Sequence, residues 1–396
     1  MLAAMPIDAG PPRSAETALS MMNQTNSVVQ PTALGERFLI AAGGTGGHVI
    51  PALQVAAVLR EQGHECVFVG TARGMENSLV PAAGFELRHV PIGPLNQVSW
   101  SRRIRTLIEA PRALYAAWRL LDELEPTAVL SLGGYASGPL VLASALRDTP
   151  VVVMEPNAKP GMANRWAGMF ASRALIGFEA AAKYFRNGIC EAVGIPVRAE
   201  FFERGPRRMN QRFTVLITGG SQGSRRLNEA AVGAARAWTE SDGDALHFVH
   251  QTGRNEFEQV RDSYSKMGFD ADVSAFYDDM PALYARADLI VCRAGASAVA
   301  ELCAAGKASV LVPFPHAADN HQLINARALA QVGGAIVVED SDWTAAKMVE
   351  TLDHLRSSPT KLATMESAAA GLARPHAAEL AADALIGVAR TKGGRH

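Results

Sequence analysis

Several features that define other classes of protein are scarce in this sequence. Its 396 residues include only four cysteines, Cys66, Cys190, Cys292 and Cys303, and no two of them form a CxxC pair. Scattered cysteines of this kind are typical of ordinary buried thiols in a reducing compartment. The formal net charge is only −1. Bulk nucleic-acid binding needs a broad positive surface, so the sequence argues against it.

Long apolar runs are also missing. No stretch approaches the roughly 20 apolar residues that a membrane span requires. Residues 1–35 carry several prolines and lack the basic-then-apolar order of a signal peptide. We interpret them as a disordered tail ahead of the fold and expect the protein to stay in the cytoplasm. With 48% hydrophobic and 19% charged residues, the remainder is long enough for two globular domains.

From residue 37 onward, short apolar runs alternate with longer segments of helical spacing, such as 52–62 and 227–238. This alternation is typical of βαβ units and parallel sheets. The predicted strands are 38–42, 66–69, 128–132, 151–154, 214–218, 247–249, 289–292, 309–312 and 335–338.

A strand followed by a glycine loop occurs twice, at 38–47 and at 214–223, and a third such strand ends in the glycines of 133–138. The repeat predicts an α/β fold with two Rossmann-like, doubly wound parallel-sheet domains. We expect domains at 36–202 and 213–374, joined by the Arg-rich linker 203–212. The ligand should then lie in the cleft between them.

The first glycine loop, Gly43–His48, allows backbone N–H groups to approach a phosphate or a polar sugar. It is equally consistent with a tight turn that binds nothing. A dinucleotide site would need an acidic residue at the end of the second strand, and Glu65 instead precedes that strand, which disfavours NAD. The near-neutral pKa typical of histidine suits His48 to act as a general base, although it could merely hydrogen-bond the loop.

The second half of the chain offers polar groups at several helix starts. Ser221 lies in the second glycine loop, 219–223. Arg198 lies at the junction of the two halves of the chain, where a guanidinium can bind a diphosphate. In residues 293–301, small side chains precede Glu301, whose carboxylate can accept both hydroxyls of a ribose. A capping box would require an acid at position 300, which is Ala300, so ligand binding is favoured.

The chain carries eight short motifs: GGTGGH (43–48), GGYASGP (133–139), MEPN (154–157), VGIPVR (193–198), GGSQGS (219–224), YDDM (277–280), RAGASAVAE (293–301) and DNHQLINA (319–326). The same motifs occur in this order in the MurG-type N-acetylglucosaminyltransferases, and the chain resembles that family over roughly residues 36–375.

The resemblance implies a GT-B fold, with two Rossmann-like domains and the active site between them, and a C-terminal helix (375–396) that completes the first domain. It implies an inverting transfer of N-acetylglucosamine (GlcNAc) from UDP-GlcNAc to the C4 hydroxyl of N-acetylmuramyl-pentapeptide diphosphoryl-undecaprenol, called lipid I. The product is lipid II, a precursor for peptidoglycan synthesis, cell shape and cell division.

The resemblance also implies a role for each matching residue. The catalytic centre would comprise His48 as general base and Glu301 as ribose ligand. The remaining contacts would be Ala296, Ser297, Ala298, Val299 and Ala300 around the nucleotide, Tyr277 by the uracil, Ser221 and Arg198 on the diphosphate, Gln322 on the donor sugar, and Thr45, Gly46 and Gly47 with Asn157 in the sugar region. The chain departs from the family at Met154, where many members have histidine, and at His321, where some have glutamine.

Two other functions stay open at this point. A UDP-GlcNAc 2-epimerase shares the fold and the donor but needs no lipid acceptor. A nucleotide-sugar-binding regulator or membrane scaffold would not turn over at all. The position of His48 argues against the scaffold, and the basic, aromatic stretch 100–121 argues against a freely soluble epimerase.

Stretch 100–121 is the candidate contact with an anionic membrane surface. It carries one acid, Glu109, among aromatic and aliphatic residues and five basic ones, Arg102, Arg103, Arg105, Arg112 and Arg119. The alternative is an amphipathic helix packed on the sheet with solvated arginines. We expect a peripheral protein on the cytoplasmic face of the membrane.

The sequence has two Asp-x-Asp triplets, 242–244 and 270–272, of the kind that bind metal in some glycosyltransferases. Both precede predicted strands, at the sheet edge away from the expected cleft, so neither is favoured as a metal site. We expect no required metal, with soluble Mg²⁺ as a counter-ion for UDP.

Overall fold

The structure is a computed structural model. It describes residues 35–44, 46–92, 100–203, 212–239 and 246–393, without the side chains of 100–108, 318, 392 and 393. Residues 36–396 belong to one compact unit that contains two parallel β-sheets.

The first sheet has seven described strands in the order β3-β2-β1-β4-β5-β6-β7. Phe38 in β1 pairs with Cys66 in β2 on one side and Ala128 in β4 on the other. The chain order therefore reverses at β1 and β4, which makes a switch point of the Rossmann type. The strands are β1 (Arg37–Ala42), β2 (Glu65–Gly70), β3 (Glu86–His89), β4 (Ala128–Gly133), β5 (Val151–Glu155), β6 (Arg173–Ile176) and β7 (Cys190–Ala192).

The second sheet has six described strands in the order β10-β9-β8-β11-β12-β13, so its switch point lies at β8 and β11. Its strands are also parallel, with Val215 of β8 paired to Phe248 of β9 and Leu289 of β11. The strands are β8 (Phe213–Thr218), β9 (Leu246–Gln251), β10 (Ala271–Ser274), β11 (Leu289–Cys292), β12 (Ser309–Leu311) and β13 (Ala335–Val337).

Helices cover both faces of each sheet, as buried parallel sheets require. Side chains alternate along β1, with Phe38 and Ile40 in the core on one face and Leu39 and Ala41 in the core on the other. The described α-helices are α1 (Gly46–Glu61), α2 (Glu76–Ala82), α3 (Trp100–Leu124), α4 (Ser137–Leu146), α5 (Met162–Ala167), α6 (Arg225–Thr239), α7 (Phe257–Met267), α8 (Met280–Arg286), α9 (Ala296–Ala305), α10 (His321–Gln331), α11 (Ala345–Arg356), α12 (Pro359–Gly371) and α13 (Ala377–Gly393).

Two connections join the domains. A short 3-10 helix, Ala199–Phe202, follows β7, and its Phe201 is buried in the core of the second domain. At the other end of the chain, α13 leaves the second domain, and its Ala381 and Leu385 are buried in the core of the first sheet. The last helix therefore packs on the first sheet, against α1, β4 and β5.

The two-domain parallel architecture predicted from the sequence is confirmed, and all nine predicted strands are present with small shifts of their ends. Four strands were missed: β3, β6, β7 and β10. Three of these, β3, β7 and β10, lie at sheet edges. An edge strand packs less of its surface into a core, so its sequence carries a weaker apolar signal.

Candidate active site

Both switch points carry glycine loops at the carboxyl ends of their strands, where open α/β sheets bind ligands. Gly43 and Gly44 follow β1, and the loop of Gly134 packs directly against them. A Cβ added to Gly134 would lie 2.7 Å from the oxygen of Gly43, so this close approach requires glycine.

His48 lies in the first turn of α1, so the predicted loop ends earlier than His48. The helix begins at Gly46 and also contains Gly47, while Thr45 lies outside the described residues. The imidazole is half-buried, and its Nδ1 is 3.4 Å from the oxygen of Gly43. The arrangement places a titratable ring beside the first glycine loop.

The second glycine loop runs from Gly219 to Gly223, before α6. Gly223 has φ +76°, and a Cβ there would lie 2.0 Å from the oxygen of Thr252. The loop is therefore restricted to glycine at this point. Ser221 Oγ lies 3.8 Å from Sδ of Met75, which belongs to the first domain.

A buried residue that the sequence did not single out, Gln251, joins this loop to the loop of Tyr277. Its Nε2 donates to the oxygen of Gly220 at 3.0 Å and to Oγ1 of Thr218 at 3.2 Å, and its Oε1 accepts from the N–H of Tyr277 at 3.0 Å. The backbone N–H of Tyr277 is thus used within the protein, and its hydroxyl donates to the oxygen of Asp272 at 3.0 Å. One amide therefore fixes the spacing between the predicted diphosphate and uracil positions.

The helix predicted to line the nucleotide pocket, α9, begins at Ala296 and includes Ser297, Ala298, Val299, Ala300 and Glu301. Its N-cap is Gly295, without a side-chain hydrogen bond. Ser297 is therefore not the cap residue, which agrees with the argument against a capping box. Ser297 Oγ instead lies 3.5 Å from the oxygen of Gly47 in the first domain.

Glu301 is half-buried in the second domain, beside Tyr284 and Cys292. Burial raises its pKa to about 7, against the opposing effects of Arg198 and of a hydrogen bond from Tyr284. The Tyr284 hydroxyl is 3.5 Å from Oε2 of Glu301. A carboxyl group whose pKa is this far above normal is a common feature of functional sites.

Arg198 lies immediately before the 3-10 helix that joins the domains, with its guanidinium carbon 5.3 Å from the ring centre of Phe201. Its charge is close enough to Glu301 to lower the pKa of that carboxyl. The structure thus places Arg198 near Glu301 of α9. The predicted contact with a diphosphate stays a prediction.

Gln322 and Asn157, the predicted sugar contacts, lie on opposite domains. Gln322 Oε1 accepts from the N–H of Phe314 at 2.9 Å, which holds the loop before α10. Asn157 donates to the buried Glu155 through both its backbone N–H, at 2.8 Å, and its Nδ2, at 3.0 Å. Glu155 lies in the MEPN motif, so this motif places Asn157 through its carboxylate.

Asn325 connects the two domains directly. Its side chain is fully buried, its Nδ2 donates to Oδ1 of Asn157 at 3.2 Å, and its Oδ1 accepts from the N–H of Ala158 at 2.9 Å. Asp319 adds ion pairs to Lys159 at 3.2 Å and Arg165 at 3.5 Å. The carboxyl-end loops of both sheets therefore meet, and the predicted site residues of the two domains share one cleft.

The arrangement of two glycine loops, a half-buried carboxylate and an interdomain cleft agrees with what the sequence matches. Residues 38–176 match the glycosyltransferase family 28 N-terminal domain, and residues 214–381 match the glycosyltransferase family 28 C-terminal domain. A protein of Solibacter usitatus is 48% identical over 355 residues, which cover 89% of this chain and 96% of that protein. The chain belongs to glycosyltransferase family 28.

One named relative and two solved structures resemble the chain to different degrees. The Solibacter protein is named UDP-N-acetylglucosamine–N-acetylmuramyl-(pentapeptide) pyrophosphoryl-undecaprenol N-acetylglucosamine transferase. The crystal structure of MurG from Acinetobacter baumannii is 29% identical, has a TM-score of 0.72 and covers 89% of this chain and 99% of its own. A putative UDP-N-acetylglucosamine 2-epimerase from Listeria monocytogenes has a TM-score of 0.64 at 12% identity, with 87% of this chain and 94% of its own covered. That likeness shows a shared fold alone.

Only one of the two Asp-x-Asp triplets, 270–272, lies among the described residues, and its last two residues lie in β10 instead of before a strand. Residues 242–244 are outside the described part of the chain. Asp270 is engaged by protein groups: burial opposes its ionisation, but hydrogen bonds from His247 and Arg212 outweigh burial and lower its pKa. Among the described residues, no group of three or more histidine, cysteine or acidic side chains is arranged to hold a metal ion.

Proposed function

We infer that this protein transfers GlcNAc from UDP-GlcNAc to the C4 hydroxyl of the N-acetylmuramyl residue of lipid I, with inversion, to form lipid II. The observation that carries this inference is a contact across the cleft between α1, which contains His48, and α9, which contains Glu301. In this contact Gly47 O and Ser297 Oγ lie 3.5 Å apart. This contact supports a single site that contains both His48, the proposed base, and Glu301, the proposed ribose ligand. The 48% identity to a transferase of this name supports the choice of donor and acceptor.

The donor occupies the second domain in this proposal. Glu301 accepts the ribose hydroxyls, the start of α9 lines the nucleotide, and the uracil lies by Tyr277. The amides of the second glycine loop, with Ser221 and Arg198, bind the diphosphate. Backbone N–H groups and a guanidinium already aimed at this position stabilise the negative charge that develops as UDP leaves, without having to reorganise.

The acceptor approaches from the first domain. Inversion requires its C4 oxygen to attack the anomeric carbon opposite the leaving UDP while a base removes the hydroxyl proton. His48 is the proposed base. Gln322 and Asn157, together with the loop that contains Thr45, Gly46 and Gly47, hold the two sugars in the orientation that this attack needs.

The decisive experiment follows labelled GlcNAc from UDP-GlcNAc to a short-chain lipid I analogue and measures UDP release in parallel. We expect UDP release only when the acceptor is present, together with a labelled disaccharide product. Release of UDP without acceptor would instead indicate an epimerase or a hydrolase. Tight UDP binding without any release would indicate a binding protein and would remove the role of His48.

We also propose that α3 contacts an anionic membrane surface. Ala113, Ala117 and Leu121 are buried against the sheet, which leaves another face outside. That face carries Tyr115, 66% exposed, with the exposed Arg112 and Arg119 at helical spacing from it. The side chains of the three other arginines in the predicted patch, Arg102, Arg103 and Arg105, are outside the described residues. Among the described residues, no helix is long and apolar enough to cross a membrane.

Vesicle sedimentation tests this surface. Reversing the charges of Arg112 and Arg119 to glutamate should weaken binding to phosphatidylglycerol vesicles, because each basic residue near an anionic surface contributes about 1 kcal/mol. The matched control reverses two basic residues of the second domain, Arg236 and Lys361. Equal binding of both variants and the unchanged protein would contradict the proposal.

We propose that no bound metal is required and that Mg²⁺ in solution acts only as a counter-ion for UDP. Turnover should then persist when EDTA replaces Mg²⁺. Complete and reversible loss of transfer in EDTA would contradict this proposal.

A further inference from the structure

A buried carboxylate lies beneath the loop that precedes His48. Glu76 is the first residue of α2 and has no exposed surface. Its Oε2 accepts a hydrogen bond from the N–H of Gly44 at 2.9 Å, and its Oε1 accepts from the N–H of Thr71 at 3.2 Å. Such donors are what a buried carboxylate needs, since without them its desolvation strongly destabilises the fold.

Three glycines provide the space for this side chain. A Cβ added to Gly43, Gly70 or Gly74 would lie 3.0, 2.7 or 2.1 Å from the nearest atom of Glu76. Gly74 also has φ +151°, a conformation that other residues rarely adopt. An apolar side chain would fill the same space without a desolvation cost, so packing alone does not explain a carboxylate here.

The peptide group that Glu76 contacts also contacts the proposed base. The N–H of Gly44 and the C=O of Gly43 belong to one peptide group, and that oxygen is 3.4 Å from Nδ1 of His48. A carbonyl oxygen can only accept a hydrogen bond, so this contact requires the proton on Nδ1. Nε2 then keeps its lone pair, which is the form that a general base needs.

We propose that Glu76 is a positioning residue that fixes the tautomer of His48 through the Gly43–Gly44 peptide group. A carboxylate that accepts from the N–H polarises the peptide and makes its oxygen a stronger acceptor, because linked hydrogen bonds reinforce one another. The buried aspartate of a serine-hydrolase triad orients its histidine directly; here one peptide group lies between the two side chains. The inference rests on the proposed function, in which His48 is the base.

The test combines kinetics with ¹⁵N NMR of histidine-labelled protein. Glu76→Gln keeps the size of the side chain and removes its charge. It should lower kcat about two- to tenfold, the range that one hydrogen bond supplies, and leave the KM for UDP-GlcNAc unchanged because the donor lies on the other domain. Neutral His48 should carry its proton on Nδ1 in the unchanged protein and show a mixture of tautomers in the variant.

The matched control is Asn77→Ala, in the same turn. Asn77 Nδ2 donates to the oxygens of Thr71 at 3.0 Å and Gly74 at 3.2 Å, so its loss loosens the turn and leaves the carboxylate in place. We expect Asn77→Ala to keep the His48 tautomer of the unchanged protein and most of its kcat. Equal effects of the two variants on kcat and tautomer would overturn it, as would a Glu76→Gln variant that behaves like the unchanged protein.

The ¹⁵N spectrum of the unchanged protein tests the predicted tautomer of His48 even if Glu76→Gln does not fold. His48 protonated on Nε2 would refute the proposal, and protonation on Nδ1 would support it. Absence of acceptor-dependent transfer by the unchanged protein would refute the proposed function, whereas the tautomer is measured without any turnover. The two failures are therefore distinguishable.

Discussion

The affinity for UDP-GlcNAc should depend on pH through Glu301. An ionised carboxylate accepts hydrogen bonds from both ribose hydroxyls, whereas a protonated carboxyl has less accepting capacity and must place its own proton. Burial raises the pKa of Glu301 to about 7. At that pKa about a tenth of the protein carries the carboxylate at pH 6 and about nine-tenths at pH 8. Because the apparent Kd scales inversely with the competent fraction, the affinity should rise about tenfold between these values.

The stability of the unliganded protein should respond in the opposite direction. The folded pKa of Glu301 lies above its usual value of 4.5, so the folded state holds this proton more tightly than the unfolded chain. The resulting contribution to the free energy of unfolding is fully present below about pH 4.5 and is lost as the pH rises through about 7. Rising pH therefore favours binding of the donor while this one group makes the empty protein less stable.

Titration calorimetry with UDP-GlcNAc, without acceptor, measures the effect. The diphosphate of this ligand is esterified at both ends and does not titrate in the range used. Glu301→Gln is the control and should bind weakly with a Kd that changes little from pH 6 to pH 8. Tyr284→Phe removes a hydrogen bond that lowers the pKa of Glu301, so its binding midpoint should move to higher pH. An unchanged protein whose affinity is flat over this range, or equal to that of Glu301→Gln, would refute the reasoning.

Three further substitutions separate chemistry, donor binding and domain contact. His48→Ala should keep UDP-GlcNAc affinity by calorimetry but lower turnover about 10²–10⁴-fold, the usual contribution of a general base; near-normal turnover would exclude His48. Gln251→Leu leaves the N–H of Tyr277 unpaired and should raise the donor KM, with a loss of stability of about 1–3 kcal/mol in urea unfolding; Trp238→Phe, which removes the hydrogen bond to Asp353 and changes the ring packing on Phe248 in the same domain, is a control for destabilisation that leaves this loop intact. Asn325→Leu should lower kcat while UDP affinity is kept, because it breaks the contact to Asn157; a parallel loss of UDP affinity would assign Asn325 to the donor pocket instead.

The architecture and the positions of the glycine loops can be predicted from the order of residues alone. Alternating apolar strands and helical segments are a local signal, and a glycine loop directly after a strand identifies where a Rossmann-like sheet binds its ligand. Ordered motifs then indicate the family, and with it the predicted roles of His48, Glu301 and Gln322. The edge strands β3, β7 and β10 were missed because a short strand at a sheet edge shows little apolar pattern.

The hydrogen bonds that hold the site together become visible only in the folded chain. Asn157 and Asn325 are 168 residues apart in the chain, and Gln251 is 26 residues from Tyr277, so their hydrogen bonds leave no pattern that local periodicity can detect. Glu76 is buried beneath Gly44 only because α2 packs against the first glycine loop. The raised pKa of Glu301 likewise results from burial in the folded domain, which outweighs the lowering effects of Arg198 and Tyr284. Burial and long-range pairing are properties of the folded chain, because desolvation and close contact exist only once distant segments have packed together.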